Sequence, residues 1–172
     1  SHALYLKNKK LQVTAIDTST GAIEICKKRG INDARKIDFF LLKEEKYDTL
    51  LFLMNGSGIV GKLNRLDEFF KQCKKLLNPG GKILLDSSDL SYLFEEDEDG
   101  GIWIEAGASY YGEMEYSLSY KGTRSQPFSW LYLDYNTLEL AANKNNFECK
   151  LIKKGSHFDY LAELSIGKSG NE

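Results

Sequence analysis

Cysteine and histidine are both scarce in this chain. Its 172 residues hold three cysteines, Cys26, Cys73 and Cys149, odd in number, scattered and without a CxxC pair. That pattern argues against a disulfide framework or a thiolate metal site, and reads as buried free thiols in a reducing cytosol. The two histidines, His2 and His157, stand far apart with no partner ligands at a recognisable spacing, so no metal role is expected. No apolar run is long enough to span a bilayer and no signal peptide is evident, so no membrane partner is expected and the location is read as cytoplasmic. The formal charge of -2 brings no basic stripe, so no nucleic-acid partner is expected. There is no internal repeat and no GK[ST] phosphate loop.

What is present reads as an ordinary globular domain, with 42% hydrophobic and 28% charged residues, a balance that supports one folded core. Segments with strand character alternate with helical ones. Leu11 to Ile16 (LQVTAI) reads as a buried strand ending at Asp17. Ala22, Ile23 and Cys26 recur at helical spacing, Lys27, Lys28 and Arg29 suit the negative end of a helix, and Gly30 stops it. Ala34 to Phe39 reads as a short strand, and Tyr47 to Met54 as a strand that a parallel sheet buries on both faces. Leu66, Phe69, Phe70, Cys73, Leu76 and Leu77 fall on one helical face, with Asn64 and Asp67 as its start signal. Asn78-Pro79-Gly80-Gly81 is expected to break the chain before a strand at Lys82 to Leu85 that ends at Asp86.

Beyond Asp86 the pattern changes. Glu95 to Asp99 is an acidic run, read as a solvated loop. Met114 to Tyr120 and Phe128 to Leu133 alternate like the arms of an antiparallel hairpin, an insertion near 110–134. Asn136 is expected to cap a helix through Asn143. Phe147 to Ile152 and Tyr160 to Ile166 read as a closing antiparallel pair, and 167–172 as a polar tail.

The order strand, helix, strand, strand, helix, strand predicts an α/β, doubly wound, Rossmann-like sheet, mostly parallel, with an antiparallel C-terminal strand pair, forming one domain over 1–166. Such sheets bind ligands beyond the carboxyl ends of their strands. The residues there are Asp17, Asp38, Asn55 and Asp86. Asp17 can accept two hydrogen bonds from a ribose diol, or can merely start a turn through Thr18 and Ser19. Asp38 can meet an adenine amino group or serve as a turn acid, and Phe39 can press on an adenine face or fill the core. Asn55-Gly56-Ser57-Gly58 allows close backbone approach to a ligand or makes a structural turn.

VTAIDTS, ARKIDFF, YDTLLFLMNGSG and LLNPGGKILLD, in that order, resemble successive motifs of class I S-adenosylmethionine-dependent methyltransferases. The third and fourth, with DSSDL following, are most similar to the small-molecule N-methyltransferase branch. The resemblance covers Ser1 to Leu90, and more loosely the C-terminal strand pair. It implies S-adenosylmethionine as cofactor and a small molecule as acceptor. It implies Asp17 and Thr18 at the ribose, Asp38 and the Phe39 backbone at the adenine, and Asn55 and Gly56 at the methionine end. The loop after the next strand, Asp86, Ser87, Ser88 and Asp89, would shape the acceptor pocket, with Asp86 or Asp89 available as a base. The family's GxGxG loop and the central strand that carries it are absent between Ser1 and Glu172. The expectation is an upstream segment that supplies them, or a chain not competent alone.

Two other readings stand beside this one. An acid after the second strand also suits an NAD(P)-binding oxidoreductase domain. A truncated or inactive methyltransferase-like binding module is the other. Tyr110, Tyr111, Tyr116, Tyr120, Trp130, Tyr132 and Tyr135 either line an acceptor pocket or pack the hairpin. Neither the acceptor nor the oligomeric state follows from the residues.

Overall fold

The computed structural model describes residues 1–43, 45–94 and 109–167. The acidic run at 95–99 and the tail after Gly167 lie outside them. The chain divides into two compact units, Ser1–Glu45 and Lys46–Glu172.

The first unit opens with helix α1, His2–Asn8, followed by strand β1, Thr14–Asp17, helix α2, Thr20–Lys28, and strand β2, Asp33–Lys36. β1 and β2 pair in parallel, from Thr14 opposite Asp33 to Asp17 opposite Lys36. Ser19 starts α2 by accepting the Ala22 N–H at 3.3 Å. Lys27 and Lys28 fill its last turn, and Gly30 follows at φ +86°, as the sequence predicts. Ile23, Ile31 and Ala34 form the core, with Ala3, Leu4, Ala15 and Cys26 against them.

Both strands are shorter than expected. Lys10 takes a left-handed φ of 64° and Leu11 is 56% exposed, so the approach to β1 stays outside the sheet. β2 ends early because Asp38 turns the chain into a 3-10 turn at Phe39–Leu41.

The second unit is built on a sheet of four strands in the order β3-β4-β10-β9. These are β3, Tyr47–Phe52, β4, Leu77–Ser88, β9, Phe147–Lys154, and β10, Asp159–Ile166. β3 and β4 are parallel, while β10 runs antiparallel to both β4 and β9. The parallel pairs with an antiparallel C-terminal pair bear out the Rossmann-like class. β1 and β3 belong to separate sheets, each with one edge that no strand pairs among the described residues.

Helix α3, Leu66–Leu76, buries the face expected of it. Phe69, Phe70 and Cys73 have no exposed surface, and Leu66, Leu76 and Leu77 almost none. Phe69 meets Phe52 of β3 edge to face at 4.9 Å, and Phe70 meets Phe147 of β9 at 5.2 Å. Each such ring contributes about 2–3 kcal/mol by leaving water.

Three local expectations are corrected. Asn64 does not cap α3; it lies inside a 3-10 turn at Leu63–Arg65 that runs straight into the helix. Asn78-Pro79-Gly80-Gly81 does not separate helix from strand. It belongs to β4 as a bulge, with Tyr47 opposite Leu77 and Thr49 already opposite Lys82. Helix α4, Tyr135–Lys144, is capped by Asp134 rather than Asn136, because the Asp134 carboxylate accepts the Thr137 N–H at 2.8 Å.

The hairpin forms as expected, with β5, Glu113–Tyr116, antiparallel to β8, Phe128–Leu131. A smaller pair, β6, Ser119–Tyr120, and β7, Thr123–Arg124, closes its tip. All three cysteines are free thiols. Burial pushes the Cys73 thiol up, and pushes Cys149 up to about 11, so neither supplies a thiolate at neutral pH.

Candidate functional site

In the first unit, Asp17 and Asp38 both lie at the carboxyl end of the β1–β2 pair. The Ile37 N–H still bonds the Asp17 carbonyl at 3.1 Å, so Asp38 stands one residue beyond the end of the ladder. Asp17 accepts the Ser19 N–H on Oδ1 at 2.7 Å, and Asp38 accepts the Phe40 N–H on Oδ1 at 2.8 Å. These are the same turn made twice. The turn fixes each carboxylate through one oxygen. Each Oδ2 takes no hydrogen bond among the described residues, and both side chains face solvent. The turn and the ligand readings of these acids are therefore compatible. Thr18 is exposed beside Asp17. The Phe39 ring is buried and packs edge to face on Phe40 at 5.3 Å, as a core residue does.

In the second unit, the chain leaving β3 bends sharply, because Met54 and Asn55 take left-handed φ angles of 68° and 56°. Successive N–H groups in this conformation converge into a concavity that favours an anion. Asp86 of β4 fills it. Its Oδ1 accepts from Asn55 at 2.7 Å and Gly56 at 3.4 Å, and its Oδ2 accepts from Met54 at 3.0 Å. Asp86 thus holds the loop in place and has little capacity left to act as a base. Ser88 adds a side-chain clamp, donating to Asn55 Oδ1 at 2.8 Å and leaving the Asn55 amide NH2 free among the described residues.

The glycines of this loop serve close packing. A Cβ on Gly56 would lie 2.7 Å from Phe52 Cβ, and one on Gly58 would overlap the Trp130 indole at 1.8 Å. Ser57 and Ser87 are buried. Ser57 donates its one hydroxyl proton to the Leu131 carbonyl at 2.8 Å, so the 2.8 Å contact between the two serines is a donation from Ser87. Ser87 in turn accepts the Leu133 N–H at 2.9 Å. Ser87 is therefore committed to joining β4 to the end of β8.

Asp89 differs from its neighbours. Its Oδ1 accepts the Ser91 N–H and the Tyr111 hydroxyl, each at 2.9 Å. Burial and the nearby Tyr110 and Asp89 hold the Tyr111 phenol far above its usual range, so it remains a donor. Tyr110 donates to Asp134 at 2.6 Å and is pushed up to about 12 by burial and that carboxylate. An open recess of about 670 Å³ beside the loop is lined by Leu53, Asp86, Lys153, Lys154, Asp159 and Tyr160.

The seven aromatics of the hairpin region are held in different ways. Trp130 packs on Gly58, and Tyr135 bonds Glu139 and the Cys149 carbonyl. Tyr110 and Tyr111 bind Asp134 and Asp89. Tyr116 and Tyr132 share a hydroxyl contact of 3.2 Å, and Tyr120 is exposed. Sequence reasoning missed Asp134 and Phe158. Asp134 had a detectable signal, an acid three residues before Thr137 at a helix start. Phe158 had none.

Residues 1–85 match the profile of a family described as a methyltransferase domain. Among solved structures, the chain is similar to a SAM-dependent methyltransferase from Bacteroides fragilis in complex with S-adenosyl-L-homocysteine. The two are 46% identical with a TM-score of 0.89, over 97% of this chain and 68% of that one. In fold it is also similar to the CcbJ methyltransferase from Streptomyces caelestis, at 12% identity and a TM-score of 0.66, over 96% of this chain and 79% of that one. The glycopeptide N-methyltransferase MtfA, complexed with S-adenosylhomocysteine, shares the fold at 14% identity and a TM-score of 0.58, over 95% and 77%. The chain spans about two thirds of the length of the Bacteroides protein. No curated protein sequence matches it.

Proposed function

The chain belongs to the family of S-adenosylmethionine-dependent methyltransferases, and from that premise we propose that it serves to methylate a small-molecule acceptor. The observation that carries the reading is the likeness, at 46% identity over nearly the whole chain, to a protein crystallised with the demethylated cofactor. The MtfA likeness, in fold, is in keeping with a small-molecule acceptor.

The cofactor reading assigns Asp17 and Thr18 to the ribose hydroxyls, and Asp38 with the Phe39 backbone to the adenine edge. The uncommitted Oδ2 atoms of both acids suit hydrogen-bond donors of that kind. Asn55 and Gly56 are assigned to the methionine end, on the loop that Asp86 braces. Of the acceptor-side candidates, Asp86, Ser87 and Ser88 shape the pocket from beneath, and Asp89 faces the acceptor. Residues 1–166 act in this reading as one methyltransferase domain, with the hairpin as an insertion. No helix among the described residues is long and apolar enough to cross a membrane, and we place the protein in the cytoplasm.

The bound cofactor supplies a methyl group already activated on sulfur. The protein's part is to align the acceptor and exclude water, which needs no dedicated base when the accepting atom arrives with a free lone pair. Calorimetric titration of the protein with S-adenosylhomocysteine and NADH tests the reading. Binding of S-adenosylhomocysteine alone, weakened about tenfold or more by Asp17→Ala, is the expected result. NADH binding in its place would assign an oxidoreductase, and binding of neither would leave only an interaction module.

A further inference from the structure

This inference rests on the methyltransferase reading and deepens it by naming the chemical class of the acceptor. Asp89 lies just past the end of β4. Its Oδ1 is fully engaged by the Ser91 N–H and the Tyr111 hydroxyl, and its Oδ2 takes no hydrogen bond among the described residues. None of the ion pairs among those residues includes it. Asp86, three residues earlier, is occupied through both oxygens, so Asp89 is the acid on this segment with capacity to spare.

Several aromatic residues are joined to that segment, by bonds to Asp89 or by contacts between rings. The Asp89 N–H donates to the Phe158 carbonyl at 2.9 Å, which fastens the tip of the β9–β10 turn to the end of β4. Phe158 holds a φ of 59°, an unfavourable conformation for an aromatic residue. It stacks on Tyr92, with centroids 4.8 Å apart and planes 19° from parallel. Phe94 meets Tyr111 edge to face at 5.9 Å. Tyr92, Phe94 and Phe158 keep 51%, 37% and 58% of their surface exposed.

An aromatic face attracts a cation through its quadrupole, and an unneutralised carboxylate does so by its charge. The same pair repels an anionic acceptor, and it offers a neutral one a hydrogen bond without the attraction between charges. We propose that Asp89, with the rings of Tyr92 and Phe158, forms a subsite for a cationic group, so that the methyl acceptor is a small molecule whose apolar body bears an ammonium apart from the atom that takes the methyl group. Tyr111 is a positioning residue that aims the carboxylate.

The test uses three probes of similar size: benzylammonium, benzyl alcohol and benzoate. Each is titrated by NMR into the protein saturated with S-adenosylhomocysteine, and again without it. Benzylammonium is expected to bind about tenfold tighter than either of the others. Asp89→Asn should lose that preference, and Tyr111→Phe should weaken it, while affinity for S-adenosylhomocysteine stays unchanged. The preference of the native protein is a readout in itself, should a variant fold poorly. Equal binding of the three probes, no binding of benzylammonium, or a folded Asp89→Asn protein that keeps the preference would each overturn the proposal. Failure of S-adenosylhomocysteine to bind, with the preference intact, would instead remove the cofactor reading.

Discussion

Asp86 accepts the Asn55 backbone N–H at 2.7 Å, so an acid on one strand of the sheet fixes the conformation of the loop that leaves its neighbour. The bond couples two segments 31 residues apart, and it explains how Met54 and Asn55 both persist in the left-handed region. Without it, their converging N–H groups would face one another with no anion between them.

Asp86→Ala should therefore destabilise the protein by about 2 kcal/mol, the scale of a charge-assisted hydrogen bond to backbone. Asp86→Asn should cost less, since one oxygen still accepts. Urea unfolding of the three proteins measures both changes. An alanine variant as stable as the native protein would show that the loop holds itself.

Gly58 gives a steric prediction. The Trp130 ring occupies the place of its missing side chain, so even alanine must displace the indole. Gly58→Ala should cost about 2–3 kcal/mol, on the scale of an overpacked core. The Trp130 fluorescence spectrum should shift red as the ring moves toward water.

The buried serine pair predicts non-additivity. Ser87→Ala leaves the Leu133 N–H without an acceptor and should cost about 1–3 kcal/mol. Ser57→Ala exposes a different lack, the unpaired Leu131 carbonyl. Because each change also breaks the bond between the two, the double variant should lose less than the sum. Additive losses in a double-mutant cycle would mean that the serines act separately.

Tyr110 and Asp134 predict the pH limits of stability. Burial works to raise the Asp134 carboxyl, but hydrogen bonds from Thr137 and Tyr110 outweigh it and hold the group below its ordinary value. A depressed carboxyl stabilises the fold above its unfolded value, and that contribution is lost as pH falls through the lower folded one. The Tyr110 phenol is pushed up to about 12, so its contribution is complete below pH 10, the unfolded value, and is lost as pH rises toward 12. Asp134→Asn should flatten the acid limb of a stability profile and move the Tyr110 titration, read by absorbance near 295 nm, to lower pH. An unchanged acid limb would assign the loss to other carboxylates.

The helices and strands were legible where periodicity is strong. The face of α3 was readable up to its last residue, because burying Phe69 and Phe70 on one side leaves few alternatives; Leu77, expected on that face, instead opens β4. Asp17, Asp38 and Asn55 could be found because apolar runs end at them. Errors arose where a local signal competes with pairing. Pro79 and Gly80 read as a break, yet three residues of bulge let β4 start at Leu77 and still register with β3. Asn136 looked like a cap, and Asp134 won because its carboxylate reaches the Thr137 N–H.

By itself the amino-acid sequence determined the alternation of strand and helix, the faces that leave water, and the acids at the strand ends, since these depend on spacing along the chain. Only the tertiary structure decided what each acid does. Asp86, Asp89 and Asp134 are chemically one side chain. Backbone donors saturate the first, the Tyr111 hydroxyl and one N–H hold the second by a single oxygen, and a helix start takes the third. Those partners come from residues far away in sequence or from local geometry that no spacing reveals, and the capacity they leave over decides which carboxylate can meet a ligand.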